Sequence, residues 1–267
     1  LSGGEPFLRK DVAEILRTFY DHAQTRFFTI PTNSLLPDRV EQTINAFLEH
    51  CPQGFLNFCL PFHGTEEHYD DIMGVPGNYG KFLRTFEVVR KARETSPNIS
   101  CVLNFVMSKF NYGHYREIID KATKEFPGVP MGIAYARGIT HERDATDVPV
   151  EVYREAYLYL LKQRRSRAQY NPYALIVDAI AEQMFVTVAR VAEGETKDLA
   201  CRAGRNFIVV YDNGAVYPCE LLDVVGIPKG EDAPKQTCLG NLHDFDYDLS
   251  ALLSTDHARH LIHWLET

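Results

Sequence analysis

Residues 26–60, RFFTIPTNSLLPDRVEQTINAFLEHCPQGFLNFCL, pass from strand to helix and back to strand within one short span. Arg26-Phe-Phe-Thr-Ile-Pro31 is rich in aromatic and β-branched side chains and is closed by proline, as a short buried strand would be. Val40, Ile44, Phe47 and Leu48 then recur at helical spacing, which puts them on one face. Phe55-Leu-Asn-Phe-Cys-Leu60 returns to the strand pattern.

The same alternation extends in both directions. Val12, Ile15, Leu16 and Phe19 give a preceding helix, and further on come a helix near 79–94, a strand at 100–106, a helix near 113–125, a strand at 130–136 and a helix near 151–165. Strands separated by helices require crossover connections, which yield a parallel sheet with helices on its outer face. The first part of the chain therefore reads as α/β.

After residue 166 the pattern changes. A helical stretch from about 173 to 193 is followed by two β-rich runs joined at Asp212-Asn213-Gly214, and Asn-Gly in such a setting signals a hairpin because both turn positions accept positive φ. Parallel crossovers do not make hairpins, so two domains are expected, 1–166 and a smaller α+β module at 167–267.

Composition narrows the function. A chain of 267 residues can bury a substantial core, and 45% hydrophobic with 24% charged residues is ordinary for a globular protein. A formal charge of −8 argues against broad affinity for nucleic acid or a membrane surface, and no apolar run is long enough to span a bilayer. A cytoplasmic protein is the expectation, with neither nucleic acid nor membrane as partner. The six cysteines are then thiols or metal ligands rather than a disulfide framework. Cys51, Cys59 and Cys101 sit in or beside apolar stretches and read as small buried hydrophobes.

The chain opens on Leu1-Ser-Gly-Gly-Glu-Pro-Phe-Leu8. Gly3-Gly4 lets the backbone turn sharply and lets a ligand approach the main chain. Glu5 could accept hydrogen bonds from a ligand ammonium, or it could complement the positive end of a helix that has Pro6 at its first position.

The wider arrangement resembles the radical S-adenosylmethionine enzymes. Ser2-Gly-Gly-Glu-Pro-Phe-Leu8 before an amphipathic helix is similar to the family's Gly-Gly-Glu-Pro segment, which holds the methionine amino group of the cofactor. Thr32-Asn33-Ser34 stands where many members have Thr-Asn-Gly, and His63-Gly64, Asp70 and Gly74-Val-Pro-Gly77 resemble the stretch after the fourth barrel strand, usually Asp-Gly, then Asp, then Gly-x-x-Gly. Cys201-Arg-Ala-Gly204, Gly214-Ala-Val-Tyr-Pro-Cys219 and Leu239-Gly-Asn-Leu242 resemble the start of the auxiliary-cluster region called SPASM, or its shorter twitch form.

The resemblance implies a partial (βα)6 TIM-like barrel followed by an auxiliary-cluster module. It implies S-adenosylmethionine bound by Gly3, Gly4, Glu5, Pro6, Asn33, Asn104 and Arg137, and an auxiliary iron–sulfur cluster on Cys201, Cys219 and Cys238. It further implies a catalytic [4Fe-4S] cluster, an electron donor such as flavodoxin or ferredoxin, and a peptide, protein or small-molecule substrate. The family's Cys-x-x-x-Cys-x-x-Cys loop has no counterpart among the six cysteines. The catalytic cluster's ligands are therefore expected outside this sequence, with the chain truncated at both ends. Pro61 and His63 replace the Ser and Asp that members commonly place near the ribose, which weakens any ribose assignment and leaves His63 as a loop residue. Two other readings stay open: a TIM-like hydrolase or lyase using Glu5, His63 and Asp70, and a noncatalytic module that binds S-adenosylmethionine or a peptide.

Overall fold

A computed structural model describes residues 1–136, 142, 144–167, 172–194, 201–225 and 234–266. The chain divides into two compact units, one of Leu1–Ala136 with Ala145–Val186, the other of Arg137–Asp144 with Thr187–Thr267. No helix among the described residues is long and apolar enough to cross a membrane.

In the first unit α1 (Val12–His22), β1 (Phe27–Pro31), α2 (Pro37–His50), β2 (Phe55–Pro61), α3 (Glu66–Met73), α4 (Asn78–Thr95), β3 (Ile99–Met107), α5 (Tyr115–Glu125), β4 (Met131–Tyr135) and α6 (Val150–Arg167) follow one another. The strands form one parallel sheet in the order β1-β2-β3-β4. This is the α/β architecture expected from the alternation. α3, of eight residues, EEHYDDIM, lies in a stretch to which the sequence reading assigned no helix. Its buried anchor is Tyr69, whose hydroxyl donates to the carbonyl of Pro61 at 2.7 Å.

Alternation along each strand sorts the side chains between two faces. Phe28, Ile30, Leu56, Phe58, Leu60, Cys101, Leu103, Phe105 and Met107 are buried in one core with residues of α2, α4 and α5. Each such large side chain contributes about 1.5–3 kcal/mol by leaving water. An aromatic group thickens this layer: Phe82 of α4 lies 5.6 Å from Phe62 and 5.7 Å from Phe126, ring centre to ring centre. Thr29, Asn57, Cys59, Ser100, Val102, Asn104 and Val106 occupy the alternate positions and are exposed or half-buried. Cys51 and Cys101 are the buried thiols the sequence suggested, whereas Cys59 is only half-buried because its position belongs to this second face.

α7 (Pro172–Ala192) runs across the division between the units. On the first unit's side Phe185 stacks on Tyr157 of α6 with centroids 4.0 Å apart. Tyr153 and Tyr157 are thus helix-packing residues, and the Tyr159 hydroxyl is bound to Asp120 at 2.8 Å.

The second unit holds an antiparallel sheet of β5 (Val209–Val210), β6 (Ala215–Tyr217) and β7 (Gly240–Asn241), with α8 (Glu220–Val225), α9 (Leu249–Leu253) and α10 (Asp256–Glu266). The hairpin is present, but its turn differs from the two-residue form that Asn-Gly favours. Gly214 has φ +81° while Asn213 is not among the positive-φ residues, and the Tyr211 N–H donates to the Ala215 carbonyl across a loop that Gly214 closes. Val216, Leu239, Leu252, Ala258 and Leu261 form a separate small core.

Candidate functional site

Ligands of open parallel sheets bind outside the carboxyl ends of the strands. The loops leaving β1, β2 and β3 therefore define the candidate site, and the segment preceding α1 joins them through Glu5.

Glu5 sits on an extended backbone at the start of a short 3-10 turn, Pro6–Leu8, and its Oε1 accepts from the Phe7 N–H at 3.0 Å. This is the capping role that glutamate before proline allows. The carboxylate does more: Oε1 also accepts from the Thr32 hydroxyl at 2.9 Å, and Oε2 accepts from the Asn33 N–H at 2.6 Å. A carboxylate has about four acceptor sites; of the three used here, one caps the turn and two staple the Gly3-Gly4 loop to the end of β1. Gly3 has φ +134°, a backbone state closed to other residues, and neither Gly3 nor Gly4 has anything within 4 Å of where a Cβ would stand. The loop therefore offers exposed main chain on a fixed mount.

Asn33 uses its N–H on Glu5 and its Oδ1 to accept from the Leu35 N–H at 3.0 Å, an Asx turn. Ser34, next in line, has φ +64° and is fully buried, with its hydroxyl unpartnered among the described residues. Glycine would suit this backbone better. We expect Ser34→Gly to raise stability by about 1 kcal/mol, since relief of a left-handed serine and of a buried orphan hydroxyl outweighs the extra chain entropy. A thermal midpoint about 2–4 °C higher would show it, and a lower one would refute it.

Asn104 lies on β3, aligned with Pro61 of β2 and Gly132 of β4, and its half-buried amide has no hydrogen bond among the described residues. It is a polar group left open near the carboxyl end of the sheet. Arg137 lies outside the described residues.

Sequence reasoning left His63 as a loop residue, yet it is among the most firmly held groups here. Its Nδ1 accepts from the Val106 N–H at 3.1 Å, and burial lowers its pKa to about 4. Asn111, 1% exposed, fixes both loop ends: Nδ2 donates to the carbonyls of His63 and Val106, each at 3.1 Å, and Oδ1 accepts from the Ser108 N–H at 2.8 Å. No spacing rule flags Asn111, because its partners are 48 and 5 residues away.

Asp70 serves α4. Its carboxylate accepts from the Tyr79 N–H at 2.8 Å and the Gly77 N–H at 2.6 Å, and these bonds hold its pKa below the ordinary value. A depressed pKa means stability that is present above the unfolded value of about 4 and lost as pH falls through the folded one. We expect Asp70→Asn to be less stable than the wild type at pH 7, with the gap closing below about pH 4 in parallel urea titrations. A pH-independent gap would mean that the charge is not the stabilising element.

Glu5, His63 and Asp70 are thus committed to three separate local tasks. A hydrolase built on them would need a base within reach of a nucleophile or water. Here burial disfavours the charged imidazole and one of its nitrogens already accepts, the Glu5 carboxylate is occupied by Phe7, Thr32 and Asn33, and that of Asp70 by the Gly77 and Tyr79 N–H groups.

In the second unit Gly204 has φ +82° and lies against Pro218 and Ile262, so the loop after Cys201 runs beside the residue preceding Cys219. Cys201 is exposed and Cys219 half-buried, as a pair open to an incoming group would be. Cys238 is different. Its Sγ lies 3.4 Å from the Val216 carbonyl and 3.3 Å from that of Gly240, and its own carbonyl meets His257 Nε2 at 2.8 Å. Two carbonyl oxygens suit a protonated thiol that donates, and oppose a thiolate. Among the described residues no group of three or more His, Cys, Asp or Glu is gathered to hold a metal ion.

No protein-family model matches the chain. The AdoMet-dependent heme synthase of Methanosarcina barkeri (strain Fusaro / DSM 804) is 26% identical over 233 residues, covering 84% of this chain and 63% of the relative. The chain thus spans somewhat less than two thirds of that relative's length. Solved structures of native anSMEcpe with bound AdoMet, one with the Kp18Cys peptide and one with the Cp18Cys peptide, share the fold with a TM-score of 0.58. Both superpositions cover 100% of this chain and 69% of theirs, at 14% and 13% identity. The chain is thus similar in sequence to an AdoMet-dependent heme synthase and in fold to structures solved with AdoMet bound.

Proposed function

We propose that this chain binds S-adenosylmethionine at the carboxyl edge of its parallel sheet, as part of an enzyme that acts on a peptide, a protein side chain or a small molecule by hydrogen abstraction. When bound and reduced by one electron, the cofactor supplies methionine and a 5′-deoxyadenosyl radical, which takes a hydrogen atom from the substrate. The electron would come from a donor such as flavodoxin or ferredoxin, through a [4Fe-4S] cluster whose usual cysteine loop this sequence does not contain. No role in that transfer is assigned to a residue of this chain.

The observation that carries the reading is the Gly3-Gly4 loop, with open space above its main chain and Glu5 stapling it to Thr32 and Asn33. In this reading the main chain of Gly3 and Gly4 receives the methionine ammonium, Pro6 fixes the exit of the loop, and the fourth acceptor site of Glu5 completes the contact. Asn33 and Asn104 supply polar groups near the end of the sheet, and Arg137 is the proposed partner of the cofactor carboxylate. Residues 1–166 form the cofactor domain and 167–267 the auxiliary module. There we assign Cys201 and Cys219 as ligands of an auxiliary iron–sulfur cluster, and place Cys238, foreseen as a third, as a structural thiol on account of its two carbonyl neighbours.

The test is anaerobic reconstitution of the full-length gene product with iron and sulfide, followed by reduction in the presence of S-adenosylmethionine. Formation of 5′-deoxyadenosine is the expected result, and its absence from a protein that binds iron would overturn the reading. Cys201→Ser and Cys219→Ser should lower iron content, whereas Cys238→Ser should leave it unchanged.

A further inference from the structure

We propose that Glu266 is a positioning residue for the loop that begins at Cys201: through Arg202 and Arg205 it fixes where the Cys201 sulfur stands for an incoming metal group. The inference rests on the reading of Cys201 as a ligand of an auxiliary cluster, and adds to it a side chain on a distant helix that no cysteine spacing marks.

Three observations carry it. First, one carboxylate takes both arginines of the loop. Arg205 grips Glu266 with two prongs, Nε to Oε1 at 2.8 Å and Nη2 to Oε2 at 3.0 Å, and Arg202 Nη1 donates to Oε1 at 3.3 Å. Second, Glu266 is the last residue of α10, and its side chain is only 16% exposed. The negative end of a helix and a partly dry site both disfavour a carboxylate, so the two guanidinium groups are what hold the charge there. Third, the loop rests on the same helix one turn earlier: Ile262 Cγ1 lies 2.6 Å from where a Cβ of Gly204 would stand, and Ala203 is 1% exposed. The Gly204 N–H donates to the Phe207 carbonyl at 2.8 Å and the Asn206 N–H to that of Arg202 at 3.0 Å, so the segment is also closed on itself. Cys201, at its head, is exposed.

The magnitudes favour placement over stability. The arginine side chains are 56% and 57% exposed, and ion pairs so open to water contribute little to folding. Their geometry is another matter, because a planar two-pronged contact fixes the direction of the guanidinium and of the backbone that bears it. Groups that hold a ligating side chain without touching the metal commonly change metal affinity by about 10–100-fold. Arg202 follows Cys201 directly, so slack in the loop is felt at the sulfur.

The test uses the full-length protein reconstituted with iron and sulfide, with a ferrous chelator as the probe. The phase of iron release that is missing from Cys201→Ser identifies the iron held at this loop. In Glu266→Gln that phase should run about tenfold faster and its electron paramagnetic resonance signal should change, while the thermal midpoint read by far-ultraviolet circular dichroism stays within about 2 °C of the wild type. Exchanging the charges, Arg205→Glu together with Glu266→Arg, rebuilds one pair and should recover most of the wild-type release rate, whereas Arg205→Glu alone should not. An unchanged release rate and signal in Glu266→Gln would overturn the proposal and leave the cluster reading intact. So would an exchange variant that regains the thermal midpoint but not the release rate, since the triad would then be structural only. Iron content that Cys201→Ser leaves unchanged would sink the cluster reading itself.

Discussion

Replacing Glu5 by alanine is expected to lower the stability of the ligand-free protein by about 2–4 kcal/mol, a loss that urea unfolding would read. Three donors, the Phe7 and Asn33 N–H groups and the Thr32 hydroxyl, lose a charged acceptor together. A hydrogen bond to a charged group contributes about 1.5–3 kcal/mol, and bonds sharing one carboxylate do not add in full. The expected loss is a large part of the roughly 5–15 kcal/mol that a domain has in hand. Glu5→Gln, which keeps an acceptor oxygen and loses the charge, should fall between. If the carboxylate acted only on a ligand, Glu5→Ala would unfold at the wild-type urea concentration and differ only in binding. Its coupling with Thr32→Val in a double-mutant cycle apportions the staple between its two ends.

The second large effect lies in the smaller unit. Gly204→Ala puts a methyl group 2.6 Å from Ile262 Cγ1, at a residue whose φ is +82°. The left-handed backbone costs a non-glycine residue about 1–2 kcal/mol, and overpacking adds about 1–3, so a loss of about 2–4 kcal/mol is expected. Trp264 on α10 is the chain's one tryptophan and lies in this unit, so its fluorescence reports the loss. Pairing Gly204→Ala with Ile262→Ala removes the clash but keeps the backbone cost, and should recover part of it once the cavity left by isoleucine is allowed for. An unchanged tryptophan transition in Gly204→Ala would mean that the loop after Cys201 does not pack on α10 in solution.

The parallel sheet was legible because its strands are short apolar runs and its long helices repeat apolar residues on one face, as in Val40, Ile44 and Phe47. α3 and α9 escaped because eight and five residues give too few turns for a periodicity to stand out, whereas the apolar face of α10, with Ala258 and Leu261 buried, was there to be read. The Asn-Gly pair announced the hairpin but not its turn, since the same dipeptide serves a longer loop in which glycine alone takes the left-handed state. At the candidate site the Gly-Gly-Glu-Pro motif was recognisable. That Glu5 is committed to Thr32 and Asn33 was not, because those contacts span 27 and 28 residues and arise only when the loop meets the end of β1. His63 shows the same limit: its role follows from the Val106 amide across the sheet, a neighbour that local sequence does not name.

Asn111 bonds to the ends of two strands at once, so the loops after β2 and β3 share one buried anchor. A ligand that quiets one of them quiets the other at no additional entropic cost, and slow amide exchange should spread from His63 to Ser108 when only one side is touched. The carboxyl edge then behaves less as a set of independent fingers than as one jaw, already closed on its own backbone before anything arrives.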